Sequence, residues 1–276
     1  MPEWLIKLTL GPLLLVQGWH TRRVTPRLPE AAGERSGEQG SGPYLRLLIT
    51  GDSSAAGVGV AHQHDALAGQ LAAELATDFR LGWRLIAQSG VDTPQLTALL
   101  QSGAAESFDA VVLSIGVNDV TGGCSPKAWR QAMQQLLQLL RSRFGVRQLI
   151  LLRVPPMHAF TGLPQPLRWY MGYRARRFNL QLEALVAEYP DCLLSEELTL
   201  AGPLLAADGF HPGALIYKRW AAVIADMLRH CLQRCIPQGE QENGYQGICE
   251  NAATGIGPAG LTIVGRGIAG TGISAG

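Results

Sequence analysis

The chain has 276 residues, 23 basic and 22 acidic side chains, and a net charge of +1. A near-neutral surface sets up no field to steer a polyanion, which argues against nucleic acid as a partner. Five cysteines (Cys124, Cys192, Cys231, Cys235 and Cys249) are odd in number and scattered, so they read as no disulfide framework and fit a reducing compartment.

Residues 1–43 come first. Leu5 to Val16 is apolar apart from Lys7, Thr9 and Gly11, and is too short to span a bilayer comfortably. A secretory signal places basic residues before its apolar stretch; here Arg22, Arg23 and Arg27 follow it, and no small-residue cleavage site is visible. The expectation is an apolar arm packed on the domain. The alternative is an interfacial or anchoring arm that gives weak membrane association, with the trailing arginines keeping the domain on the cytoplasmic side. Residues 29–43, rich in Gly, Ser and Glu, read as a linker.

Strands and helices alternate over 44–236. Leu45–Thr50 predicts a strand, Ala66–Phe79 a helix with Leu67, Leu71 and Leu75 on one face, and Trp83–Gln88 a second strand. Thr93-Pro94 predicts an N-cap and N1 proline opening a helix through Leu100. Ala110–Ile115 is apolar enough for a strand buried on both faces, and Ser125-Pro126 opens a long helix to Phe144. Gln148–Val154 predicts a fourth strand ended by Pro155-Pro156, Leu167–Tyr189 a helix, Cys192–Leu194 a short fifth strand, and Ala214–Arg234 the closing helix. The alternation predicts an α/β fold: a parallel sheet with helices on both sides and ligands beyond the strand C-termini. Residues 237–276, glycine-rich and without a period, read as a flexible tail.

Four short motifs fall in order at strand ends or loops: Gly51-Asp52-Ser53, Gln88-Ser89-Gly90, Gly116-Val117-Asn118-Asp119, and Asp208-Gly209-Phe210-His211-Pro212. A parallel sheet gathers strand ends on one rim, so these motifs can meet. Ser53 is a poor nucleophile until a base removes its proton, and His211 suits that task because an imidazole exchanges protons near neutral pH. Asp208, three residues earlier, can fix the imidazole tautomer. The Ser53 and Gly90 N–H groups and the Asn118 amide can donate to the oxyanion formed on an ester carbonyl.

These blocks resemble the conserved blocks of the SGNH (GDSL) hydrolase family over roughly residues 45–234, with Ser53, Gly90, Asn118 and the Asp208/His211 pair each in its block. The resemblance implies a flavodoxin-like three-layer α/β/α sandwich with about five parallel strands. It also implies ester or thioester hydrolysis through an acyl-enzyme, with catalytic Ser53, Asp208 and His211, an oxyanion hole of Ser53, Gly90 and Asn118, and no metal or organic cofactor. The expected partner is a small acyl ester. Lysophospholipids, acyl thioesters, acetylated sugars, acyl transfer to an alcohol and a non-catalytic binding module remain alternatives.

Other motifs do not fit. Residues 51–59 have no lysine for a P-loop and lack dinucleotide-binding glycine spacing, and no G-x-S-x-G elbow surrounds Ser53. Cys231 and Cys235 beside His230 are too few ligands for a metal and read as helix-face thiols. His62, His64 and His158 read as exposed loop residues, and Asp119 as support for the Asn118 loop. Arg168, Arg174, Arg176 and Arg177, with Trp169, Tyr170 and Tyr173, read as a partly solvated helix with its aromatics packed inward.

Overall fold

Strand C-termini dominate this molecule, because all but one strand point the same way. The computed structural model describes residues 3–197 and 204–234. The tail read over 237–276, and with it Cys235 and Cys249, lies outside the described residues. The strands are β1 (Ser36–Gln39), β2 (Tyr44–Gly51), β3 (Arg80–Ala87), β4 (Ala110–Ser114), β5 (Gln148–Leu151) and β6 (Cys192–Leu194). They form one sheet in the order β1-β3-β2-β4-β5-β6, parallel except for β1. The parallel part runs 2-1-3-4-5 in its own order, the flavodoxin-like arrangement, with its switch point between β2 and β4.

The central strands follow from composition. β4 is buried at every position and β2 from Leu47 onward, as expected for apolar runs covered on both faces. The helices are α1 (Glu3–Val24), α2 (Leu67–Leu75), α3 (Thr93–Ser102), α4 (Val117–Thr121), α5 (Pro126–Phe144), α6 (Leu167–Val186) and α7 (Ala214–Arg234). α2 packs on α7, while α3, α5 and α6 pack in series, giving the two covering layers.

Three local readings change. The segment read as a linker contains β1, which lengthens the sheet to six strands at the free edge of β3. All four of its residues are exposed, so its strand character rests on main-chain hydrogen bonds and leaves no hydrophobic period. The N-cap of α3 is Asp92, not Thr93: Asp92 accepts from Gln95 N–H at 2.9 Å, and the Gln95 side chain accepts from Asp92 N–H at 3.0 Å. The N-terminal segment is one helix of 22 residues, longer than its apolar run. It lies on α6, where the Glu3 carboxylate pairs with Arg177 at 2.5 Å and accepts from the Tyr170 hydroxyl at 3.1 Å. Among the described residues no helix is long and apolar enough to cross a membrane.

Candidate active site

The register of the central strands sets the site. Gly51 at the end of β2 pairs with Ala87 on one side and Ser114 on the other. Ser53, Gly90 and Asn118 therefore leave the sheet a few residues beyond one common level, at the switch point. One further loop and α7 close over this rim. The 204–213 segment reaches Ser53 because Gly59 lets the Pro212 carbonyl approach: its φ is +111°, and a Cβ there would stand 2.2 Å from that oxygen. Tyr217 on α7 ties down the same nucleophile loop, its buried hydroxyl donating to Val58 C=O at 2.7 Å.

His211 Nε2 lies 2.9 Å from Ser53 Oγ, and Nδ1 lies 2.5 Å from Asp208 Oδ2. With Nδ1 protonated toward Asp208, Nε2 accepts from the Ser53 hydroxyl, so the ring is placed to take that proton. Asp208 is buried, and its other oxygen accepts from the Phe210 and His211 N–H groups at 3.0 Å each. Burial pushes the Asp208 carboxyl up, but the hydrogen bonds from His211 and Phe210 outweigh it and hold the group below the usual carboxylate range.

The donor loops are stitched to one another. Asn118 uses one amide N–H on Val91 C=O at 2.8 Å, leaving the other free to donate. Asp119, next in sequence, is buried and accepts from the Thr93 hydroxyl at 2.9 Å and from Thr93 N–H; Trp129 Nε1 caps the same hydroxyl at 3.1 Å. Asp119 thus joins the Asn118 loop to the start of α3, in line with its expected supporting part, and burial pushes its carboxyl up to about 6. Gly90 has a φ of +83° and stands in open space. Among the described residues, neither its N–H nor that of Ser53 has a hydrogen-bond partner.

A family model described as GDSL-like Lipase/Acylhydrolase matches residues 49–219. The chain belongs to this family. The GDSL-like lipases and acylhydrolases cleave ester bonds, and this chain is accordingly a hydrolase of that class. No curated protein matches its sequence. Solved structures share its fold. A structure titled TesA has 22% identity and a TM-score of 0.54, covering 68% of this chain and 99% of its own. A carbohydrate esterase family 2 enzyme of Corynascus thermopiles has 18% identity and a TM-score of 0.58, covering 71% and 68%. An aryl esterase of M. smegmatis has 16% identity and a TM-score of 0.53, covering 67% and 99%.

Two parts of this GDSL-like site were not readable from sequence. Asp52, next to Ser53, is buried, its carboxylate accepting from Ser54, whose N–H lies at 3.0 Å, and burial pushes it up to about 6. A turn residue and a buried floor look alike in a sequence. The second is a brace from outside the family match. Glu30 accepts from Ser89 N–H at 2.6 Å and pairs with Arg35 at 2.9 Å, and the Arg35 guanidinium donates to Ala87 C=O. The segment read as a linker thus grips the chain on both sides of Gln88, just ahead of Gly90. His62 and His64 are exposed and stacked on each other, and His158 is exposed. In the basic aromatic stretch, Tyr170 and Arg174 are buried, Arg174 donating to Cys124 C=O, while Trp169 is exposed.

Proposed function

We propose that the protein is a serine carboxylester hydrolase acting through an acyl-enzyme on small or short-chain acyl esters. The observation that carries this reading is the unbroken hydrogen-bond chain from Ser53 through His211 to Asp208. Ser53 Oγ attacks the carbonyl carbon as its proton passes to His211 Nε2. Asp208 stabilises the imidazolium. The carbonyl oxygen becomes an oxyanion held by the Ser53 and Gly90 N–H groups and the Asn118 amide. The C–O bond to the alcohol breaks, and Nε2 hands its proton to that alcohol. Water then adds to the acyl-enzyme with His211 again as base, releasing the acid and restoring Ser53. Each step moves only protons and an acyl group, so the scheme calls on no metal or organic cofactor.

The short-chain preference is supported by the segments between the first three motifs, where α2, β3, α3 and β4 are joined by turns, chiefly over 54–66 and 103–109, with no further α-helix inserted to cover a long acyl chain. The test is turnover of p-nitrophenyl acetate and butyrate by wild type and Ser53→Ala. The expected loss in kcat is about 10³-fold or more, and a fluorophosphonate probe labels only the wild type. Equal turnover by both removes Ser53 from the mechanism. A chain-length series that peaks at long acyl groups moves the substrate to lysophospholipids or thioesters, and acyl transfer to an added alcohol in preference to water makes the protein an acyltransferase.

A further inference from the structure

α1 is apolar on both sides. Ile6, Leu14 and Thr21 are buried, and Glu3 and Gln17 bind α6 and the loop before it. On the outward side Trp4, Leu8, Leu15 and Trp19 are 66%, 71%, 76% and 60% exposed. At 100° per residue these four fall within an arc of roughly 60°, and Arg22 falls on the same arc. They form a stripe about 22 Å long, at 1.5 Å per residue, with a tryptophan at each end. A soluble surface scatters its exposed apolar side chains singly; a continuous row of this kind marks a contact.

The charges around the stripe identify the contact. Between Trp4 and Pro29 the sequence holds Lys7, Arg22, Arg23 and Arg27 and no acidic residue. Lys7 is paired with Glu3, whereas Arg22, Arg23 and Arg27 are exposed, Arg23 lying over the Trp19 ring at 4.9 Å. A second copy of this face would bring the same arginines and no carboxylate to meet them. Phosphate-bearing lipid headgroups supply the missing anions, and the acyl boundary takes the tryptophans and leucines. We propose that α1 lies in the plane of an anionic lipid surface and docks the enzyme there without spanning it. The docked helix is tied to the active-site end. The Gln17 amide donates to Gln165 C=O at 2.7 Å and accepts from Leu167 N–H at 3.1 Å, and Gly162 in the same loop donates to Gly209 C=O at 3.3 Å, inside the Asp208–His211 turn.

The experiment is co-sedimentation of the full chain with phosphatidylcholine vesicles, with and without phosphatidylserine, at low and high salt. No substrate is present, so the result is independent of the esterase assignment. The expected result is binding that needs phosphatidylserine and is released by salt. Partitioning falls at least about tenfold in Trp4→Ser/Trp19→Ser and in Arg22→Gln/Arg23→Gln, while both variants hydrolyse soluble p-nitrophenyl acetate at the wild-type rate. Failure of the wild type to bind, or equal binding by both variants, overturns the proposal. So does a wild-type dimer in sedimentation velocity that Trp4→Ser/Trp19→Ser converts to monomer with no change in vesicle binding, because the face is then a protomer interface.

Discussion

Asp208 and Asp52 are both buried beside the Ser53–His211 pair, and their carboxyls shift in opposite directions. Asp208 accepts from two N–H groups and the His211 ring, and its carboxyl is held below the usual range. Asp52 accepts from Ser54, and its carboxyl rises to about 6. Desolvation is the largest influence on each; at Asp208 the hydrogen bonds from the His211 ring and two N–H groups outweigh it, and at Asp52 the bonds from Ser54 do not. The turn that carries His211 has built a permanent anion where an imidazolium needs one. The floor under Ser53 holds a carboxyl at the edge of neutrality.

The strongest test of this contrast is Asp208→Asn, which keeps the shape of the turn and removes its charge. The expected result is a fall in kcat of about 10³- to 10⁴-fold with a near-normal fold by circular dichroism. A loss under tenfold would mean that Asp208 is no more needed than Asp52. The second test reads stability against pH by urea unfolding. Asp52 titrates above its unfolded value of 3.8, so its contribution is complete below that value and is lost as pH rises through about 6. Asp52→Asn should therefore flatten the decline in stability between these limits, by on the order of 3 kcal/mol at most. Asp119, also raised to about 6, keeps its share in that variant. Asp208 has the reverse sign: its contribution is present above the usual carboxylate range and is lost as pH falls through its lowered value. An Asp52→Asn profile that parallels wild type at every pH would contradict the contrast. The smallest effect belongs to the brace. Glu30→Gln keeps an acceptor for Ser89 N–H but loses the ion pair with Arg35, and is expected to lower kcat several-fold with KM little changed, whereas Glu30→Ala lowers kcat further. A rise in KM alone would place the brace in substrate binding.

The same contrast shows what a sequence displays. β2 and β4 declared themselves because strand segments covered on both faces are apolar runs, Leu47–Ile49 and Ala110–Leu113, and each leads straight into its motif. Asp208 and His211 were legible as a pair because both are chemically distinctive and three residues apart. Asp52 was not, since its part depends on what buries it. β1 was hidden for the opposite reason: its side chains face water, and the strand consists of backbone bonds that Ser, Gly, Glu and Gln make as well as any others. The α3 cap was misassigned by one residue although the Asp92-x-x-Gln95 capping box was present, because Thr93 ahead of Pro94 offered an equally good cap type.

β1, which follows the Glu30–Arg35 brace directly, has a consequence of its own. Without it, β3 would present an open row of main-chain donors and acceptors from Leu81 to Arg84, ready to pair with the same row on another molecule. The strand that covers this row is four residues long, exposed at every residue, and carries Glu38. It ends the sheet with a short, charged margin that is a poor template for intermolecular growth, so shortening the chain to Tyr44 would keep all four motifs and is expected to give an aggregation-prone protein.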